Sequence, residues 1–165
     1  MTGPWPLRRG VLIVDDDAST RMLLRAVVAQ FPDLEVIAEA ADGTDALALA
    51  EKHAPALILL DLRMPHLDGT QVLTEMMAAA PDTAVVVISA TEPSASLPLL
   101  EQGAVAFLPK GLAPRDLVEQ LSEIIHSTFD AESGVASAEY EAVTSEPLPP
   151  RRSSVRSVEI RTEVP

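Results

Sequence analysis

Polar residues stand directly behind four apolar runs of this chain. Asp15, Asp16 and Asp17 follow Val11–Val14, and Asp61 follows Leu57–Leu60. Ser89 and, two residues on, Thr91 follow Val85–Ile88, and Lys110 follows Val105–Leu108 with Pro109 between. Carboxylates brought together repel one another, and packing does not account for them. A hard divalent cation such as Mg2+ relieves that repulsion with oxygen ligands and keeps positions open for water or a phosphoryl oxygen. An unprotonated aspartate beside the metal can attack phosphorus and form an acyl phosphate. The charge that collects on the phosphoryl oxygens then calls for donors, which a hydroxyl and an ammonium supply beside the metal. Asp15, Asp16, Asp61, Ser89 and Lys110 contain every part of that chemistry. Each has an ordinary role when taken singly: an aspartate after a strand caps a helix, a serine closes a turn, and a lysine is a solvated charge. Their joint order is what points to a site.

That order has meaning only if the apolar runs are strands of one parallel sheet, whose ligands bind outside the carboxyl ends of the strands. The four runs and a fifth, weaker one at Leu34–Ala38 are strand length and lack strict alternation, so both faces are expected to be buried. Helical spacing fills the gaps. Met22, Leu23, Ala26 and Val27 follow a cap at Ser19; Ala46, Leu47, Leu49 and Ala50 lie within 44–53; Val72, Leu73, Met76 and Met77 lie within 70–80. Leu117, Val118, Leu121, Ile124 and Ile125 mark a last helix over 112–127. The segment 92–103 carries Pro93 and Pro98, so a helix there is short or broken before Leu99, with Gly103 as its stop. Strand–helix alternation throughout implies a doubly wound α/β sheet with right-handed crossovers.

Three segments are expected: an N-terminal extension over 1–9, one domain over 10–127, and a disordered tail over 128–165 that is first acidic, then rich in Pro and Arg. The tail holds too few apolar residues to offset its ordering entropy. The 165 residues carry a net charge of −13, which opposes general nucleic-acid binding. No cysteine is present, and the three histidines show no ligand spacing, so disulfides and Cys- or His-based metal sites are not expected. No apolar run approaches the roughly 20 residues that span a bilayer, and Met1 to Gly10 lacks a signal-peptide core, which predicts a cytoplasmic protein.

From about Val11 to Ile125 the chain resembles the receiver domains of bacterial two-component response regulators. The motifs are Val-Leu-Ile-Val-Asp15-Asp16-Asp17, Asp61-Leu-Arg-Met-Pro65-His-Leu-Asp-Gly69, Val-Val-Val-Ile-Ser89-Ala-Thr and Gly103-Ala-Val-Ala-Phe107-Leu-Pro-Lys110. The resemblance implies a five-stranded flavodoxin-like sheet of order 2-1-3-4-5. It also implies Asp61 as phospho-acceptor, Asp16 as direct Mg2+ ligand, Asp15 as the acid holding the metal through water, and the Arg63 backbone carbonyl as a further ligand. Ser89 matches the switch hydroxyl, Lys110 the phosphate-pairing lysine, and Phe107 the aromatic that turns inward on activation, with plain core packing as its other reading. Arg63 and Thr91 flank the site and should modulate the phosphoryl lifetime.

Two features depart from the pattern. The family usually has proline after the lysine, whereas here Pro109 precedes Lys110 and Gly111 follows it, and Pro98 alters the fourth helix. The implied function is a stand-alone signalling domain, not an enzyme beyond its own phosphorylation and dephosphorylation. Its expected partners are a histidine kinase or phosphotransfer protein and an unknown downstream protein, with a homodimer possible. Output would run through the fourth helix, fifth strand and fifth helix, without direct DNA binding or membrane contact. Three other readings stand beside it: a phosphorylation-independent adaptor, a fragment of a longer transcriptional regulator, and a haloacid-dehalogenase-type phosphatase. The last would use Asp15 as nucleophile within Asp15-Asp16-Asp17, yet it lacks the late acidic motif that such chemistry needs.

Overall fold

The computed structural model describes residues 8–65, 68–90 and 96–130. Five strands alternate with five helices: β1 (Arg9–Val14), α1 (Ala18–Val28), β2 (Leu34–Ala40), α2 (Gly43–His53), β3 (Leu57–Leu60), α3 (Gly69–Ala79), β4 (Ala84–Ser89), α4 (Ser96–Glu101), β5 (Ala106–Pro109) and α5 (Pro114–Ile125). A single π-helical turn, His126–Asp130, follows α5. All strand pairs are parallel, in the order β2-β1-β3-β4-β5. This is the order that the resemblance implies.

The near-continuous apolar strands divide by residue parity. Leu12, Val14, Ile58, Leu60, Val85 and Val87 pack on one side, against Ala46 and Ala50 of α2, Val72, Leu73 and Met76 of α3, and Leu99 of α4. Val11, Ile13, Leu57, Leu59, Val86 and Ile88 pack on the other, against Leu24, Val27 and Val28 of α1, Leu117 and Leu121 of α5, and Phe129. A strand alternates its side chains between faces, so burial on both sides requires apolar residues at every position.

The elements end where the backbone chemistry dictates. Asp17, not Ser19, caps α1: its carboxylate accepts from the Thr20 amide at 2.9 Å and from the Ser19 amide at 3.4 Å. Ser19 is thus a residue of the first turn. Pro98 does not break α4, because it sits in the first turn, where an amide has no helical acceptor. The helix is short, and Gly103 stops it at φ 111°, with the Ala104 amide donating to Leu99 and the Gly103 amide to Leu100. Those two bonds are a Schellman closure. β5 is shifted one residue from the expected run: Val105 donates to the Val85 carbonyl at 2.8 Å but is 42% exposed, while Pro109 pairs with Ser89. Pro109 is tolerated because β5 is an edge.

Described structure continues past Ser127, through the π-helical turn to Asp130. Phe129 is buried, and the Arg9 guanidinium lies 4.7 Å from its ring centroid, a cation–π contact. The expected tail lies outside the described residues from 131 onward, as do Thr91 and residues 1–7. No helix among the described residues is long and apolar enough to cross a membrane.

Candidate functional site

Parallel pairing brings the ends of β1, β3, β4 and β5 to one rim of the sheet. Asp15 follows β1 and extends its pairing by one bond, its amide donating to Ala40 at 3.1 Å; Asp61 follows β3, its amide donating to Val14 at 2.8 Å. Ser89 ends β4, and Lys110 follows β5 with its amide on the Ser89 carbonyl at 3.0 Å. Asp15 is 1% exposed, Asp61 2% and Ser89 0%, whereas Asp16 is exposed. Carboxylate oxygens of Asp15, Asp16 and Asp61 lie within 4.8 Å of one another.

Short local bonds fix the two buried acids. Asp15 Oδ1 accepts the Asp17 amide at 2.9 Å, and Asp61 Oδ1 accepts the Arg63 amide at 2.9 Å. Both second oxygens face the same cation: Lys110 Nζ stands 2.6 Å from Asp61 Oδ2 and 2.7 Å from Asp15 Oδ2. The contact with Asp61 is an aligned hydrogen bond, while that with Asp15 is an ion pair off the hydrogen-bond line. Asp15 Oδ2 therefore has a nearby charge but no directed donor among the described residues.

Burial raises the Asp15 pKa above its ordinary 3.8, against the opposing pull of Lys110 and the Asp17 amide, and the Asp61 charge adds to the rise. Burial alone would lower the Lys110 pKa, but the close carboxylates of Asp15 and Asp61 outweigh that and raise it above 10.5. An acid whose folded pKa is raised adds stability in full below 3.8 and loses it as pH rises through the folded value. In EDTA, Asp15→Asn should accordingly gain stability relative to wild type as pH rises from 4 to 7. Denaturant midpoints across that range test this, and a constant difference would count against it.

Three carboxylates and one ammonium leave the cluster two negative charges in excess. With an undirected buried oxygen and oxygen-only donors, that suits a hard divalent cation. Phe107 is half-buried against the α2–α4 side of the core and pairs in register with Val87. Arg63 is exposed, and only its amide is engaged with Asp61. No cis peptide occurs among the described residues; Gly111 instead turns the chain at φ 95°, with open space where a Cβ would stand.

On either side of residues 66–67, the chain between Asp61 and Gly69 is held by packing as well as by hydrogen bonds. Met64 is buried in the core, and Asp68 caps α3 through the Thr70 amide at 3.0 Å. A Cβ on Gly69 would lie 2.5 Å from Leu62 Cβ and from the Leu62 carbonyl oxygen. Backbone cannot yield there, so Gly69→Ala should cost about 1–3 kcal/mol, read as a Tm lowered by roughly 5–15 °C. An unchanged Tm would show that the loop can open.

One contributor carries no motif in the sequence. Arg21 of α1 donates through Nη1 to the Asp15 carbonyl at 2.8 Å and to the Asp16 carbonyl at 3.2 Å.

Comparison with known proteins agrees with this geometry. Residues 11–122 match the model of the response regulator receiver domain. A protein-glutamate methylesterase/protein-glutamine glutaminase of Bordetella pertussis is 39% identical over 126 residues, covering 74% of this chain and 36% of that protein. An uncharacterized transcriptional regulatory protein of Bacillus subtilis, YhcZ, is 36% identical over 110 residues, covering 66% of this chain and 51% of that protein. The crystal structure of the response regulator domain of Thermotoga maritima CheB superposes with a TM-score of 0.67 at 31% identity, covering 74% of this chain and 97% of that one. The chain thus spans about a third of the methylesterase and half of the regulator, and what it shares with both is one domain. With its sheet order, its acidic rim and its matched residues in agreement, this chain belongs to the response regulator receiver domain family.

Proposed function

We propose that the chain accepts a phosphoryl group on Asp61 from a histidine kinase or phosphotransfer protein and signals the change through α4, β5 and α5. The observation that carries this reading is the buried Asp61 carboxylate with Lys110 Nζ at 2.6 Å, beside Asp15 and Asp16 at the strand ends.

Asp15, Asp16, Asp61 and the Arg63 carbonyl would hold Mg2+, which when bound neutralises charge on the phosphoryl oxygens. The Arg63 amide fixes the rotation of the Asp61 carboxylate through Oδ1. Oδ2, whose partner is a flexible ammonium, is the freer oxygen to attack. A P–O bond forms to Asp61 as the P–N bond of the donor's phosphohistidine breaks, and the electron pair returns to the imidazole nitrogen. Lys110 then follows the charge from Oδ2 onto the phosphoryl oxygens. Ser89, at the end of the adjacent strand, would turn toward them as well. Phe107, half-buried and in register with Val87, would follow into the space that Ser89 and Lys110 vacate, which biases the α4–β5–α5 surface between two arrangements.

The test is incubation with acetyl phosphate, with and without Mg2+, read by intact mass. One phosphoryl group added only with Mg2+ supports the reading; none, from folded protein that binds Mg2+, favours a kinase-only donor or a phosphorylation-independent adaptor. A second reading, the receiver portion of a longer regulator, draws on the coverage of the relatives: 36% of the methylesterase and 51% of YhcZ. Both readings share the chemistry and differ in what receives the signal. The cofactor, the partners and the absence of enzymatic activity beyond the domain's own phosphate belong to the same proposal.

A further inference from the structure

Arg21 reaches the acidic loop from an element that contributes no ligand. The carbonyls of Asp15 and Asp16 lie past Val14, the last residue of β1, where the strand ladder stops. Arg21 Nη1 donates to both, at 2.8 and 3.2 Å. The guanidinium is itself held from the far side, since Nε lies 3.6 Å from Oε2 of Glu39, on β2. Glu39 is anchored in turn by Arg25, whose Nε donates to Oε1 at 2.7 Å and whose Nη2 pairs with the same oxygen. The Arg21 and Glu39 side chains are only 21% and 23% exposed. A chain of contacts therefore runs from the edge strand through α1 to the backbone of both acids that precede the site.

We infer that Arg21 is a positioning residue for the cation site: it sets the backbone of Asp15 and Asp16, and with it the aim of their carboxylates, without itself touching the cation or the phosphate. The inference rests on the receiver reading. It also makes a prediction opposite in sign to simple electrostatics. Deleting a positive charge beside three carboxylates should, by charge alone, tighten Mg2+ binding. Loss of a residue that orients metal ligands instead weakens it, commonly by ten- to a hundredfold.

The experiment is calorimetric titration of Mg2+ into the full chain, wild type against Arg21→Gln, Arg21→Lys and Glu39→Gln. Labelling rates with acetyl phosphate are followed at graded Mg2+. Arg21→Gln should weaken Mg2+ binding about tenfold. Arg21→Lys, which keeps the charge and a donor group but not the planar fork, should fall between that variant and wild type, and Glu39→Gln should weaken binding by a smaller factor. The Mg2+ concentration for half-maximal labelling should rise in parallel while the rate at saturating Mg2+ stays near wild type, a split that a general loss of stability does not produce. Unchanged or tighter Mg2+ binding in folded Arg21→Gln overturns the inference. Should that variant not fold, wild-type affinity in Arg21→Lys overturns it and weakened affinity supports it. A wild type that neither binds Mg2+ nor becomes labelled overturns the receiver reading and the inference with it. A wild type that does both beside an indistinguishable variant overturns the role of Arg21 alone.

Discussion

Asp61→Asn should abolish phosphoryl labelling, with the rate falling by a hundredfold or more, on the order of what loss of a nucleophile causes. The amide oxygen can still accept the Arg63 amide, so the loop keeps its anchor and the variant should fold. What it loses is the negative oxygen facing Lys110, and a carboxamide is a poor nucleophile toward phosphorus. Asp15→Asn is the informative control. It removes one acid from the cluster but leaves Asp61 intact, so labelling should persist at a higher Mg2+ requirement. A phosphatase that used Asp15 as nucleophile would give the reverse pattern. Intact mass after acetyl phosphate treatment separates the two, and labelling that survives in Asp61→Asn would end the assignment of Asp61.

The second large effect concerns stability. Lys110 is the cation that faces both Asp15 and Asp61, at 2.7 and 2.6 Å, and its side chain is 23% exposed. Lys110→Met keeps most of the apolar stem but leaves two buried carboxylates without it. Breaking a buried pair by removing one partner typically costs 3–5 kcal/mol; partial exposure moderates this, so a loss of about 2–4 kcal/mol is expected at pH 7 in EDTA. The sign of the pH dependence follows from the raised pKa values. Lys110 contributes fully below 10.5 and loses its contribution as pH rises through its folded value, so the gap between variant and wild type narrows at strongly alkaline pH. The gap also narrows in acid, as protonated carboxyls cease to need a counter-charge, and Asp15, with its raised pKa, is protonated early in that descent. Mg2+ should recover part of the loss at neutral pH, because a divalent cation serves the same carboxylates. Urea unfolding at acid, neutral and strongly alkaline pH, the last well above 10.5, each with and without Mg2+, checks this; a gap that does not vary with pH would mean that the cost lies in packing.

Much of the site is legible in the sequence because a parallel sheet converts chain order into position. Asp61 and Lys110 lie far apart along the chain, yet each directly follows an apolar run, and that suffices to bring them together. The same argument reaches Asp15 and Ser89. It does not reach Arg21, whose acceptors are main-chain carbonyls and so leave no side-chain pattern to read. Its signal was the pairing Arg21, Arg25 and Glu39, visible only once β2 is extended beyond Ala38 to Ala40 beside β1.

Local competition explains the misplaced boundaries. Asp17 and Ser19 are both good caps, and Asp17 prevails because its two oxygens meet the Ser19 and Thr20 amides. Pro98 reads as a breaker unless the helix starts just before it. Phe129 stands in a polar stretch, but it lies eight residues beyond Leu121 and four beyond Ile125. That spacing continues the buried face of α5 into the π turn.

The contact between Arg9 and Phe129 has a consequence for how such a domain can be joined to others. The first residue of the first strand touches the last turn of the final helical segment, so the described chain enters and leaves at one pole. The carboxylates sit at the other, past the far end of β1, about 20 Å away at the usual rise per strand residue. The two ends of the described chain, Arg8 and Asp130, thus lie on the side remote from the acids. The fold is a cassette with both leads at its base, so that a junction to a neighbour is made at the pole opposite the acidic rim.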